Sequence, residues 1–179
     1  MKPHRVFFTG EPGCGKTTVL KNTIQGLTSH GMKVGGMLSG EIRDQGVRVG
    51  FSLEDVLTHA TGTLAHVNQS VGPRIGKYRV NLEDLEKVGV TAIERAINEP
   101  EVNVIAVDEL GPMELNSDSF VRAVRDALVA PKHFVGTIHK RASHSLVLEI
   151  KRYPTFQIVE ITPESRDAIP GEIAKKILS

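Results

Sequence analysis

Short apolar runs alternate along this chain with segments whose apolar residues recur at helical spacing, the pattern of a parallel sheet covered by helices. Val6-Phe7-Phe8 is a short buried strand, Lys16 to His30 a helix stopped by Gly31, and Lys33 to Leu38 a second strand. Two short alternating arms then flank Asp44-Gln45-Gly46, which predicts a β-hairpin at the edge of the sheet, followed by the start of a helix or loop at Leu53. Leu82, Leu85, Val88, Ala92, Ile93, Ala96 and Ile97 form a helical stripe that continues through Gly89, with Pro100 just beyond it. "VNVIAVDEL" shows no polar alternation, so it predicts a strand buried on both faces that stops at two carboxylates. The remaining pattern gives a helix over Ser117 to Val129, a strand in "HFVGTIH", a helix over Ser143 to Lys151, a strand in "FQIVEI" and a closing helix from Ser165 to Leu178.

The length, 179 residues, suits one hydrophobic core, and we read residues 1–179 as one α/β domain. With 22 basic against 21 acidic side chains, no excess charge points to a nucleic-acid or membrane surface. Cys14 is the only cysteine, which excludes an intrachain disulfide and a zinc site built on several thiolates. No stretch approaches the ~20 apolar residues of a membrane span, and no apolar signal core opens the chain. The expectation is a cytoplasmic monomer.

Composition does not account for "GEPGCGKTT" at residues 10–18. Gly10 to Thr17 fits G-x-x-x-x-G-K-[ST] and lies between an apolar strand and a helix, the context in which that pattern has a mechanism. Glycines let successive backbone N–H groups turn inward around phosphate oxygens, and the helix adds the positive end of its dipole. Gly10, Glu11, Pro12, Gly13, Cys14, Gly15, Lys16, Thr17 and Thr18 are therefore candidate nucleotide-binding residues, with Lys16 as a point charge on the outer phosphates. Thr17 offers a hydroxyl to Mg²⁺, a hard cation that prefers oxygen and keeps most of its waters. Cys14 is either filler or a thiol activated by the helix N-terminus; an unchanged hydrolysis rate in Cys14→Ala would mark it as filler.

Asp108 ends the buried strand and has the place of the aspartate that holds the metal in phosphate-loop proteins. Glu109 follows and can orient or deprotonate an attacking water. Thr137 and His139, two apart at the end of the next strand, point the same way and can sense the terminal phosphate or position water. Arg43, Arg48, Arg141 and Arg152 are candidates for stabilising transition-state charge, with an ordinary surface role open for each.

Taken in order, "GEPGCGKTT", "SGEIRDQGVRVGFSLEDV", "GKYRVN" and "VIAVDELGPMEL" resemble the thermophile-type nucleoside-triphosphatase family, which includes a human cancer-related relative. The resemblance extends to about residue 140. Its discriminating parts are Glu41 to Phe51 and Asp108 to Leu115, since the phosphate loop is shared far more widely. It implies a three-layer P-loop NTPase fold with a central, mainly parallel sheet of the RecA/AAA kind and a β-hairpin insertion. It also implies slow, Mg²⁺-dependent hydrolysis of ATP, GTP, CTP and UTP to the diphosphate and phosphate with little base preference. By position, Gly10 to Thr17 would bind phosphates, Asp108 the metal and Glu109 the water, with Gly111 beside the nucleotide. Pro112 stands where the family commonly has lysine.

Two other readings share the phosphate loop. A nucleoside or nucleotide kinase would transfer the phosphoryl group to a bound acceptor, with "HKRASHS" as part of a lid. A nucleotide-switched binding module would use hydrolysis as a timer and residues 41–53 as its contact. A signalling GTPase is excluded, because no guanine-reading N-K-x-D occurs in the chain.

Overall fold

The computed structural model describes residues 2–179. Among these, nine strands form one sheet: β1 (Arg5–Thr9), β2 (Val34–Asp44), β3 (Val47–Asp55), β4 (Thr61–His66), β5 (Arg74–Ile75), β6 (Tyr78–Val80), β7 (Val104–Leu110), β8 (His133–Ile138) and β9 (Gln157–Glu160). Their spatial order is β5-β6-β4-β3-β2-β7-β8-β1-β9. From β2 to β9 neighbouring strands run parallel. From β2 to β5 every pairing is antiparallel. The parallel part carries the expected architecture, and the hairpin insertion grows into a second half of the same sheet.

Helices cover both faces. On one lie α1 (Lys16–Ser29) and α6 (Ile169–Leu178), packed on Val6, Phe8, Val104, Ala106 and Val135. On the other lie α3 (Thr91–Asn98), α4 (Asp118–Val129) and α5 (Ser145–Arg152), over Phe7, Ile105, Val107 and Phe134. The core strands thus bury both of their faces, which is why β7 reads as an unbroken apolar run.

Local signals account for most boundaries. Gln45 and Gly46 both hold positive φ between the paired residues Asp44 and Val47, a two-residue turn of the kind that suits strand twist. At the end of α1 the Met32 N–H donates to Leu27 O and the Gly31 N–H to Thr28 O, with Gly31 at φ +83°, so the chain is turned off by the expected glycine. The Ser117 hydroxyl accepts from the Phe120 N–H and starts α4. The stripe from Leu82 is a continuous helical path: α2 (Leu82–Asp84), a π-helical turn (Leu85–Val90) and α3. Gly89 sits in the π turn because a Cβ there would lie 2.6 Å from Met37 Sδ; the glycine brings the helix onto the sheet.

Three expectations change. No helix or loop begins at Leu53: β3 continues to Asp55, because Ser52 and Leu53 pair with Thr63 and Gly62 of β4. The hairpin is not peripheral decoration, since β3 is the sheet's fourth strand from that edge and joins β2 to three further strands. The last helix starts at Ile169 rather than Ser165. Thr162 and Ser165 instead exchange hydrogen bonds in a turn of their own, with Thr162 N–H donating to Ser165 Oγ at 3.1 Å and Ser165 N–H to Thr162 Oγ1 at 3.3 Å.

Candidate functional site

At the carboxyl ends of the parallel strands, registers set one row of residues across the sheet: Met37 beside Val107, Val107 beside Gly136, and Gly136 beside Phe7. The next residues along β7 and β8 are Asp108 and Thr137, and β1 runs on into the glycine loop. Gly10, Gly13 and Gly15 hold φ of +155°, +76° and +104°. A side chain on Gly10 would meet Ile161 O at 2.7 Å, so this loop is shaped by residues that lack one. Gly15 caps α1, whose first turn directs unpaired N–H groups into the loop.

Lys16 is buried and folded back, with Nζ donating to Gly10 O at 3.2 Å and Glu11 O at 3.4 Å. Those carbonyls hold the ammonium over the loop, where phosphate oxygens can take their place as stronger, charged partners. Asp108 is 1% exposed and is ringed by hydroxyls. Thr17 Oγ1 donates to its Oδ2 at 3.0 Å, Ser39 Oγ to the same oxygen at 3.1 Å, and Thr137 Oγ1 to Oδ1 at 2.5 Å. The Asp108–Glu109 peptide is cis.

A hard cation fits this arrangement. Thr17 and Asp108 offer oxygen donors on one edge of the cavity, and Mg²⁺ takes few protein ligands while filling the rest with water and phosphate oxygens. Among the described residues no cluster of three or more His, Cys, Asp or Glu is placed to hold a metal.

Glu109 lines the same cavity, and its carboxyl is pushed up to about 7, first by burial and then by the Asp108 carboxylate, against the pull of Lys16. Glu114, on the short turn Glu114–Asn116, is buried and raised well above the usual carboxyl range, chiefly by burial and next by Glu109. Both acids crowd Gly111: Glu109 Oε1 lies 3.0 Å and Glu114 Oε2 3.1 Å from where a Cβ on Gly111 would be. A side chain at 111 would therefore displace the acids. Pro112, at the departure from the family pattern, lines the cavity and accepts from Asn116 Nδ2 at 2.6 Å.

His139 also faces the cavity. Burial, then Lys16 and Arg141, holds its imidazole below the ordinary histidine range, and Nδ1 accepts from the Arg141 N–H at 3.3 Å. Nε2 is left to carry the proton and to donate it.

The cavity, about 540 Å³, runs from Pro12, Gly13, Lys16 and Thr17 past Asp108 and Glu109 to a wall made by the antiparallel half. That wall presents Glu41, Arg48, Phe51, Leu64 and Ile75, closed by Met113. The Arg48 guanidinium sits 5.0 Å over the Phe51 ring and donates to Tyr78 Oη at 3.0 Å and Glu41 Oε1 at 3.1 Å. A second cavity of about 700 Å³ lies at the opposite end of the sheet, around Arg5, Leu128 and Phe156, and contains none of these groups.

The structure thus brings together Pro12, Gly13, Gly15, Lys16, Thr17, Thr18, Asp108, Glu109, Thr137, His139 and Arg48. Others stand apart. Arg43 pairs with Glu41 and donates to Gly46 O on the exposed hairpin turn. Glu11 is exposed and paired with Lys140, and Cys14 packs against the apolar cluster under α1 and α6. Arg141 is exposed and acts on the site through its backbone bond to His139 and the effect of its charge on that imidazole, while Arg152 is exposed at the end of α5. Sequence reasoning missed Ser39 and Glu114 as site residues. Ser39 follows the last β2 residue paired with β7 by two positions, so the end of a central strand was its available signal; Glu114 falls within "DELGPMEL", where spacing alone gives it no role.

Comparison with known proteins agrees with this architecture. The nucleoside-triphosphatase THEP1 of Thermofilum pendens is 45% identical over 100% of this chain and 98% of its own, and that of Methanosarcina barkeri is 42% identical over 96% of each. The crystal structure of THEP1 from Aquifex aeolicus superposes with a TM-score of 0.86 at 32% identity, covering 98% of this chain and 99% of that one. The solution structure of a human cancer-related nucleoside triphosphatase gives 0.82 at 32% identity, covering 97% of both. A family model described as NTPase matches residues 5–174, and with the phosphate loop, the hydroxyl-ringed Asp108 and the adjoining Glu109 in one cavity, the chain belongs to that NTPase family.

Proposed function

We propose that this protein is a Mg²⁺-dependent nucleoside triphosphatase that hydrolyses ATP, GTP, CTP and UTP to the diphosphate and phosphate. One observation carries the reading: Thr17 and Asp108 meet at 3.0 Å beside the phosphate loop, with Glu109 facing the same space. Lys16 and the loop amides bind the phosphate chain and stabilise charge on its outer oxygens. Thr17 and Asp108 would hold Mg²⁺, and Thr137 and Ser39 fix the Asp108 carboxylate. When bound, the metal neutralises charge on the β- and γ-phosphate oxygens.

Glu109 orients the water for in-line attack and accepts its proton, a task suited to a carboxyl whose pKa lies at about 7. His139, neutral and donating from Nε2, faces the outgoing phosphate. The reading takes residues 1–179 as one domain working as a cytoplasmic monomer, supported by the single sheet through both halves and by a lone free thiol. Among the described residues no helix is long and apolar enough to cross a membrane.

Phosphate release from each of the four triphosphates, with Mg²⁺ and with chelator, tests this. Release from all four that stops with chelator and in Lys16→Ala is expected; release from one base alone, or release indifferent to chelator, would refute it. Transfer to a bound acceptor is the second reading, favoured by the apolar wall of Phe51, Leu64, Ile75 and Met113 beyond Glu109, which an attacking water does not require. Nucleosides and nucleoside monophosphates added to the same assay decide the point: phosphorylated product in place of free phosphate establishes the kinase.

A further inference from the structure

The phosphate loop has a direction set by strand order. β1 has β8, β7 and β2 on one side and β9 on the other. Asp108, Glu109, Ser39 and Thr137 all belong to the β7 side, so the terminal phosphate must face that way. The triphosphate then runs across the loop, and its nucleoside emerges toward β9.

The segment that waits there is the turn after β9. It is seated on the loop: the Ile161 N–H donates to Thr9 O at 2.7 Å. It is also fixed in shape by the Thr162 and Ser165 exchange and by Arg166 N–H donating to Thr162 O at 3.0 Å. None of the side-chain hydrogen bonds of this turn uses the Arg166 guanidinium. Arg166 is exposed, with Cδ 3.5 Å and Nη1 3.9 Å from where a Cβ on Gly15 would lie. A rigid turn therefore lays a flat, uncommitted cation along the loop at the mouth from which the nucleoside leaves.

We propose that Arg166 is the nucleobase platform of this site, its guanidinium plane stacking on the face of the base. This rests on the nucleoside-triphosphatase reading and deepens it. A guanidinium stacks on an aromatic face without addressing the hydrogen-bonding edge, so it binds purines and pyrimidines alike. Affinity without base reading is what a broad triphosphatase requires, and Arg166 supplies it with one side chain.

The test is calorimetric binding of non-hydrolysable analogues of ATP, GTP, CTP and UTP, and of inorganic tripolyphosphate, to the wild type, Arg166→Ala and Arg166→Lys. Arg166→Ala is expected to weaken each nucleotide about tenfold, the scale of one lost base stack, and to leave tripolyphosphate unchanged. Arg166→Lys keeps the charge but loses the plane, and should bind as Arg166→Ala does. Equal weakening of tripolyphosphate would make Arg166 a phosphate contact and overturn the proposal. Full affinity in Arg166→Lys, or unchanged nucleotide binding in Arg166→Ala, would overturn it too. Because binding is read rather than turnover, a protein that binds all four nucleotides but hydrolyses none refutes the hydrolase reading separately.

Discussion

The parallel and antiparallel halves of the sheet meet at β2, and they divide the labour of the site. The parallel half supplies every group to which the proposed function gives phosphate or metal: the loop after β1, Asp108 and Glu109 on β7, Thr137 and His139 at the end of β8. Parallel strands point their carboxyl ends the same way, so loops from separate parts of the chain converge on one edge. The antiparallel half supplies a wall, with Arg48 held between Phe51, Tyr78 and Glu41. What differs is the kind of constraint: positions near the phosphate must be filled by particular groups, whereas the wall needs shape and a satisfied charge.

The sharpest way to break that division is Lys16→Ala. If the parallel half carries the chemistry, losing its ammonium should lower kcat/KM about 10³-fold, the scale seen when one preorganised charge-stabilising donor is removed. Steady-state phosphate release with each triphosphate checks this. A variant within tenfold of the parent would mean that the chemistry lies elsewhere.

Glu109→Gln comes next, because it separates two tasks within the parallel half. Binding should persist while kcat falls about 10²-fold, near the lower end of what general-base catalysis contributes. Calorimetry and single-turnover hydrolysis, run together, distinguish this from simple loss of binding.

The halves also differ in how legible they were. In the parallel half, Gly31 ends α1, Ser117 begins α4 and β7 reads as doubly buried, each from a local signal that the packing respects. In the antiparallel half only the Gln45-Gly46 turn was plain. Ser52 to Asp55 has the spacing of a helix start, Ser-x-x-Asp, but pairing of Ser52 with Thr63 overrides it. "TGTLAH" in β4 carries too few apolar residues to announce a strand, and β5 and β6 are shorter still. Site residues followed the same rule. The phosphate loop has a fixed spacing because consecutive amides make it, whereas Ser39 and Arg166 come from segments distant in the chain and Glu114 comes in on a short turn after β7 whose spacing matches no pattern.

The same glutamine variant sharpens the comparison through stability, since Glu109 is buried beside the Asp108 carboxylate in the same cavity. Glu109 titrates at about 7 in the fold against an ordinary 4.5, so the folded state holds its proton more tightly than the unfolded chain. Stability attached to that proton is complete below 4.5 and is lost as pH rises to about 7. Above that, ionised Glu109 costs the fold about 3 kcal/mol, at roughly 1.4 kcal/mol for each pH unit separating the folded and unfolded titrations. Glu109→Gln without nucleotide should therefore be more stable than the parent at about pH 8 by up to that amount, and equal to it near pH 4.5. Chemical denaturation at the two pH values measures the difference; a variant less stable at the higher pH would show that the carboxylate is compensated in the fold.

Arg48→Ala probes the other half and should have the smallest effect on hydrolysis. The Arg48 guanidinium is about half-exposed; when it is removed, Glu41 can turn to water, and the buried Tyr78 keeps its hydroxyl donating to the residue-48 carbonyl at 3.4 Å. Exposed pairs of this kind contribute about 1 kcal/mol or less to folding, so melting should shift by only a few degrees. Phosphate release in the absence of any acceptor should fall about threefold or less, consistent with a loss of about 0.6 kcal/mol in positioning. A fall as large as that of Glu109→Gln would place Arg48 on the transferring phosphoryl group, and would move part of the chemistry into the antiparallel half. A small fall in release combined with complete loss of acceptor phosphorylation would keep the chemistry where the strand ends converge, and would make the wall the place where the second substrate is chosen.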